Sequence, residues 1–150
     1  MKLTNFGAAL KFATDAEVYA IEVYEEASHK VVDPEARDLL LSFAAANRKR
    51  KAMLERLYKE NMYSDMDTGI FEPIAGLNDT DYAIQTKPSY EGGLPDILES
   101  AAKFEDAIER FYSDLAAQLK SRRAALAREL VKAAQENSDG KLKLKSLLKA

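Results

Sequence analysis

The chain of 150 residues contains no cysteine, a single histidine and only four prolines. Without cysteine there can be no disulfide, no thiolate-bound metal and no cysteine nucleophile. With one histidine, at position 29, the sequence offers no catalytic triad with a usable imidazole, and it has no glycine loop of the kind that cradles phosphates. Long apolar runs are absent too. The opening "MKLTNFGAALKFATDAEVYA" is broken by Asn5, Lys11 and Asp15, so it does not read as a signal peptide, and nothing approaches the length of a membrane span. A cytoplasmic protein with no membrane association is expected. What the chain does have is an ordinary globular balance, 47% hydrophobic and 31% charged, in a length that suits one domain with a substantial core.

Glycine and proline are not only few but unevenly placed. Pro73, Pro88 and Pro95, with Gly69, Gly76, Gly92 and Gly93, fall between residues 69 and 95. The stretch 62–93 therefore reads as a long irregular connection, unusual inside a compact domain and in need of a topological reason. Tyr63, Phe71, Ile74, Tyr82 and Tyr90 give it apolar groups to pack on the bundle or on a second subunit. Either side of it the strong helix formers Ala, Leu, Glu, Lys and Arg dominate.

Spacings of alternately three and four residues mark one face of a helix, and they run through four segments. The first carries Phe6, Leu10, Ala13, Glu17, Ala20, Tyr24 and Ala27. The second follows a turn at Val32-Asp33-Pro34 and carries Ala36, Leu40, Phe43, Asn47, Arg50, Leu54 and Leu57. The third carries Leu94, Leu98, Ala101, Glu105, Ile108, Tyr112, Leu115 and Leu119. The fourth carries Leu126, Leu130, Ala133, Asn137, Gly140, Leu144 and Leu147, with "ENSDG" predicting a bend or break near 138–140. The halves repeat, because Glu17 and Tyr24 match Glu105 and Tyr112 while Leu40, Asn47 and Leu54 match Leu130, Asn137 and Leu144. Two helical hairpins, 4–61 and 94–150, joined by the 62–93 crossover predict an all-α, antiparallel four-helix bundle in a single domain spanning 1–150. The crossover is long because it must travel the length of the bundle.

Each stripe is interrupted by polar residues near its middle: Glu17, Asn47 with Arg50, Glu105, and Asn137 with Gly140. Mid-helix positions of an antiparallel bundle meet at one level, and two carboxylates buried there demand compensation. One glutamate at the edge of a stripe would be a solvated residue. A repeated glutamate with a tyrosine seven residues later is not so easily dismissed.

The phrases "AEVYAIEVYEEA", "DPEARDLLLSFAAANRKRKAMLERLY" and "KFEDAIERFYSDLA", with the crossover between them, resemble the rubrerythrin-like branch of the ferritin-like superfamily over nearly the whole chain. The resemblance implies a di-iron carboxylate centre for peroxide or oxygen chemistry, each half supplying one Glu from its first helix and a Glu-x-x-His pair from its second. Glu17 and Glu105 match the first-helix ligands. Where the pairs belong, this chain has Asn47-Arg48-Lys49-Arg50 and Asn137-Ser138-Asp139-Gly140. In a register shifted by one, Glu136 and Asp139 take the latter places, still without histidine. His29 lies about three turns beyond Glu17, too far along the helix to reach the centre. Tyr24 and Tyr112 are expected to lie about two turns from the site, outside its ligand positions, packing in the core with satisfied hydroxyls rather than serving radical chemistry.

Three functions follow as expectations. The leading one is a bundle that has lost its di-iron centre, holds no cofactor, and serves in binding or scaffolding, most simply as a homodimer. In it Arg50 supplies the positive charge that iron supplied. The alternative is a metal-dependent oxidoreductase in which Glu17, Glu105, Glu136 and Asp139 hold iron, manganese or another hard cation. The third is an acidic or nucleic-acid partner for Arg48, Lys49 and Lys51 and for the tail from Leu119, which carries +6 against −9 for the rest. With no aromatic platform among those charges, nucleic acid is the least favoured partner.

Overall fold

The computed structural model describes residues 1–62, 72–82, 93–120 and 123–149, leaving aside the side chains of 137–141, 145 and 147–149. Of the crossover aromatics, Tyr63, Phe71 and Tyr90 lie outside the described residues. The fold is all-α apart from one small sheet, with four long helices: α1 (Phe6–Lys30), α2 (Pro34–Met62), α3 (Leu94–Leu119) and α4 (Ala124–Lys149). The sheet, which the sequence pattern did not predict, pairs β1 (Lys2–Asn5) with β2 (Pro73–Asn78).

Helix boundaries follow local chemistry. Asn5 is extended and its side chain accepts from Ala8 N at 2.8 Å, starting α1. Asp33 caps α2 by accepting from Glu35 N at 3.3 Å, and Pro34 has the fixed φ that suits a first helical position. Arg37 then reaches back to the carbonyls of Ser28 and Val31 at 3.2 and 3.0 Å, occupying acceptors that the end of α1 leaves open. Gly93, at φ 74°, makes the left-handed entry to α3 that a side chain would strain. The "ENSDG" segment neither breaks nor ends α4, whose helix runs continuously through it. Packing outweighs the weak helix propensity there.

Paired contacts set helix directions. Tyr112 meets Glu17 while Tyr24 meets Glu105, so α1 and α3 run oppositely. Arg56 pairs with Glu129 and Lys49 with Glu136, so α2 and α4 also run oppositely. With only a few residues joining α1 to α2 and α3 to α4, each hairpin folds back on itself, and α2 and α3 must therefore be parallel. At about 1.5 Å per residue, the chain has a whole helix length to retrace between them.

On the way, residues 72–82 pack across one end of the helices. β2 runs antiparallel to β1, aligning Leu3 with Leu77, both buried, and the backbone N–H of Phe6 donates to Glu72 O at 2.9 Å. Glu72 also accepts from Arg123 Nε at 3.0 Å. Ile74 and Tyr82 are buried against the helices, and the Tyr82 hydroxyl donates to Asp114 at 2.6 Å. Burial pushes the Tyr82 hydroxyl's pKa up, reinforced by that bond.

The core is in two parts. One end holds Phe6, Leu10, Leu54, Leu57, Ile108, Phe111, Leu115 and Leu130. The other holds Ala20, Ala27, Leu40, Phe43, Leu98, Ala101 and Leu144. Between them lies a polar layer.

Candidate functional site

The layer is built from the mid-stripe residues. Glu17 and Asn47 are fully buried, Glu105 is 2% exposed and Arg50 4%. Glu17 follows Ala13 and precedes Ala20 on the inward face of α1, and Glu105 lies between Ala101 and Ile108 on α3. Each is held inward because its stripe neighbours are in the core. Asn47 and Arg50, three apart on α2, share one face for the same reason.

Arg50 joins the carboxylates. Its Nε donates to Glu17 Oε1 at 2.8 Å, and its Nη2 donates to Asn47 Oδ1 at 3.0 Å and to Glu105 Oε2 at 3.4 Å. The tyrosines cross between helices. Tyr112 OH donates to Glu17 Oε1 at 2.6 Å, and Tyr24 OH donates to Glu105 Oε1 at 2.5 Å. Each tyrosine of one half thus serves the glutamate of the other. The sequence pattern puts these tyrosines about two turns from the site, and the structure corrects that. Antiparallel packing brings residue 112 beside residue 17 and residue 24 beside residue 105, so both hydroxyls belong to the layer. The common spacing of seven in both halves marks the two tyrosines as equivalent but does not say which glutamate each one meets.

Within the layer, Glu17 Oε2 and Asn47 Nδ2 are buried with no partner among the described residues. Burial raises the Glu17 pKa above the usual carboxylate value, against the opposing pull of Arg50 and the Tyr112 hydrogen bond. The Tyr24 and Tyr112 hydroxyls are pushed well up by burial and by the adjacent glutamates, so both remain donors. Burial works against the charge on Arg50, but Glu17 and Glu105 outweigh it and the guanidinium stays protonated.

These residues do not fit a di-iron centre. The N–H groups of Arg50 stand between the two carboxylates, where a bridging cation would need the same oxygens. Among the described residues no three Asp, Glu or His side chains come together in a way that could hold a metal ion. His29 is exposed at the end of α1. Glu136 does not join Glu17 and Glu105 as the shifted register would have it. Its side chain is exposed in the groove between α2 and α4, 4.0 Å from Lys49. The helix places 137–140 on α4, but the side chains of Asn137 and Asp139, and the surroundings of Gly140, lie outside the description.

Arg48, Lys49 and Lys51 face outward, and each has an acidic neighbour: Glu25, Glu136 and Glu55 respectively. That interleaving breaks up any continuous basic surface on α2. No helix among the described residues is long and apolar enough to cross a membrane. No family model, no curated protein and no solved structure matches the chain.

The tyrosine exchange makes a symmetric prediction. Tyr112→Phe and Tyr24→Phe should each lower stability by about 1.5–3 kcal/mol, the worth of a hydrogen bond to a charged group. Denaturant unfolding checks it. A near-zero effect for one alone would show that its glutamate is protonated or otherwise satisfied.

Proposed function

We propose that the chain is a ferritin-like bundle of the rubrerythrin-like branch whose di-iron centre has been replaced by an arginine-centred ion cluster, and that it acts by binding or scaffolding rather than by peroxide or oxygen chemistry. One observation carries the reading: the Arg50 guanidinium donates to Glu17 and Glu105, the two carboxylates that match the family's first-helix ligands. A permanent cation fixed by packing needs no metal beside it, and like charges in a dry layer would repel one. Glu17 and Glu105 keep the acidic half of the old site, while Asn47 and Arg50 replace its first Glu-x-x-His pair. A cytoplasmic homodimer is part of the same proposal.

Metal analysis tests it. Protein purified from cells supplied with iron and manganese should contain far less than one metal ion per chain and show no peroxidase activity above background. Two irons per chain, with the visible absorption of an oxo-bridged pair, would overturn the proposal.

A further inference from the structure

Arg50 does not spend all its donors on the buried layer. Nε and Nη2 serve Glu17, Asn47 and Glu105, whereas Nη1, with two N–H groups, has no partner among the described residues. Arg50 also lines a cavity of about 250 Å³ between α2 and α4. Met53 and Ala133 supply apolar walls there, and Ala133 is buried. Two cross-helix pairs, Lys49 with Glu136 and Arg56 with Glu129, line the cavity too and largely cancel each other's charge. Lys132 has no ion pair among the described residues and is exposed.

We propose that this cavity binds a small organic monocarboxylate. One carboxylate oxygen accepts from Arg50 Nη1, the other faces Lys132, and the apolar end of the molecule rests on Met53 and Ala133. The chemistry follows from what is left over. A cavity of this size matches roughly eight water volumes, and so a ligand of about that many heavy atoms. A charge-assisted hydrogen bond to a guanidinium that packing already holds in place costs little ordering. A single negative charge balances Lys132, the lining cation with no ion pair among the described residues. A phosphate dianion would set a second charge near Glu129 and Glu136 and leave the Met53 wall unused. The inference rests on the reading above in one respect, that Arg50 and not a metal occupies the centre.

The test uses the intact protein as purified, with no metal stripped, and benzoate as the probe, followed by NMR of arginine side-chain N–H groups and methionine methyls. Benzoate should shift the Arg50 and Met53 signals saturably, with a dissociation constant at or below about 1 mM. Lys132→Glu, an exposed change, should weaken binding by about tenfold or more, and Lys51→Glu, on the opposite side of α2, should leave it unchanged. Inorganic phosphate should bind at least about tenfold more weakly than benzoate. No saturable shift, equal binding by Lys132→Glu, or phosphate binding as well as benzoate would each overturn the proposal. Metal content of the same preparation separates the two readings. Iron in the centre refutes the proposed function, whereas metal-free protein that ignores benzoate refutes only the binding site.

Discussion

Arg50→Ala should cost about 3–5 kcal/mol of stability at neutral pH, the penalty for breaking a buried ion pair on one side. The guanidinium donates to both glutamates and to Asn47, so its removal takes a donor from three acceptors in a layer buried between the two cores. The loss should depend on pH, and the sign follows from Glu17. Burial already raises the pKa of Glu17 above 4.5 with Arg50 in place. A carboxyl whose folded pKa is raised contributes stability that is fully present below its unfolded value and lost as pH rises through the folded value. Without Arg50 the main force holding that pKa down is gone, so the folded value climbs further and the loss extends to higher pH. The gap between Arg50→Ala and wild type should therefore be widest near pH 7–8 and should narrow as pH falls toward 4.5. Adding Glu17→Gln and Glu105→Gln to Arg50→Ala should recover part of the loss, because neighbours in one network are not additive. Denaturant titrations across that pH range check the claim. A deficit below about 1 kcal/mol that does not vary with pH is what a surface substitution gives, and it would mean that Arg50 reaches solvent.

The stripes were legible because a helix of fixed period turns buried positions into a repeating mark, and one polar interruption per stripe stands out against it. Every described residue of the first two stripes, from Phe6 to Ala27 and from Ala36 to Leu57, is buried, Arg50 included. Other features depend on what happens between elements, and there the sequence is silent or ambiguous. Strand β1 is four residues long and finds its partner about 70 positions away in a segment that reads as loop, so no local period announces it. The exchange of Tyr24 and Tyr112 needs the relative direction and register of α1 and α3, which a stripe on one helix does not contain. The cavity beside Arg50 depends on which cations find acids across the α2–α4 groove. Lys49 and Arg56 do, and Lys132 has no ion pair among the described residues. Helix α4 departs from what its composition implies. Composition argued for a break at 138–140, but a helix anchored by Leu130 and Leu144 in the two cores carries through.

The same physics separates what the layer does for stability from why it exists. Replacing the cluster as a whole with Glu17→Leu, Asn47→Leu, Arg50→Met, Glu105→Leu, Tyr24→Phe and Tyr112→Phe should give a protein at least as stable as wild type, and by as much as about 4 kcal/mol more stable. Each of the six changes alone strands a partner, but together they remove, among the described hydrogen bonds of the layer, each donor with its acceptor. They also dispose of the unpartnered Glu17 Oε2 and Asn47 Nδ2, and they join the two apolar cores into one. Shape favours the exchange, since the layer is bounded by Ala13, Ala16 and Ala20 on α1 and by Ala101 and Ile108 on α3, all already in the core. Thermal and denaturant unfolding of the sixfold variant beside Arg50→Ala decides the matter. If the sixfold variant is as weak as Arg50→Ala, the ion cluster is a structural necessity that apolar packing cannot replace. If it is more stable, then the arginine and its two glutamates are retained at a cost to the fold, and the benzoate titration should lose its Arg50 site in that same variant.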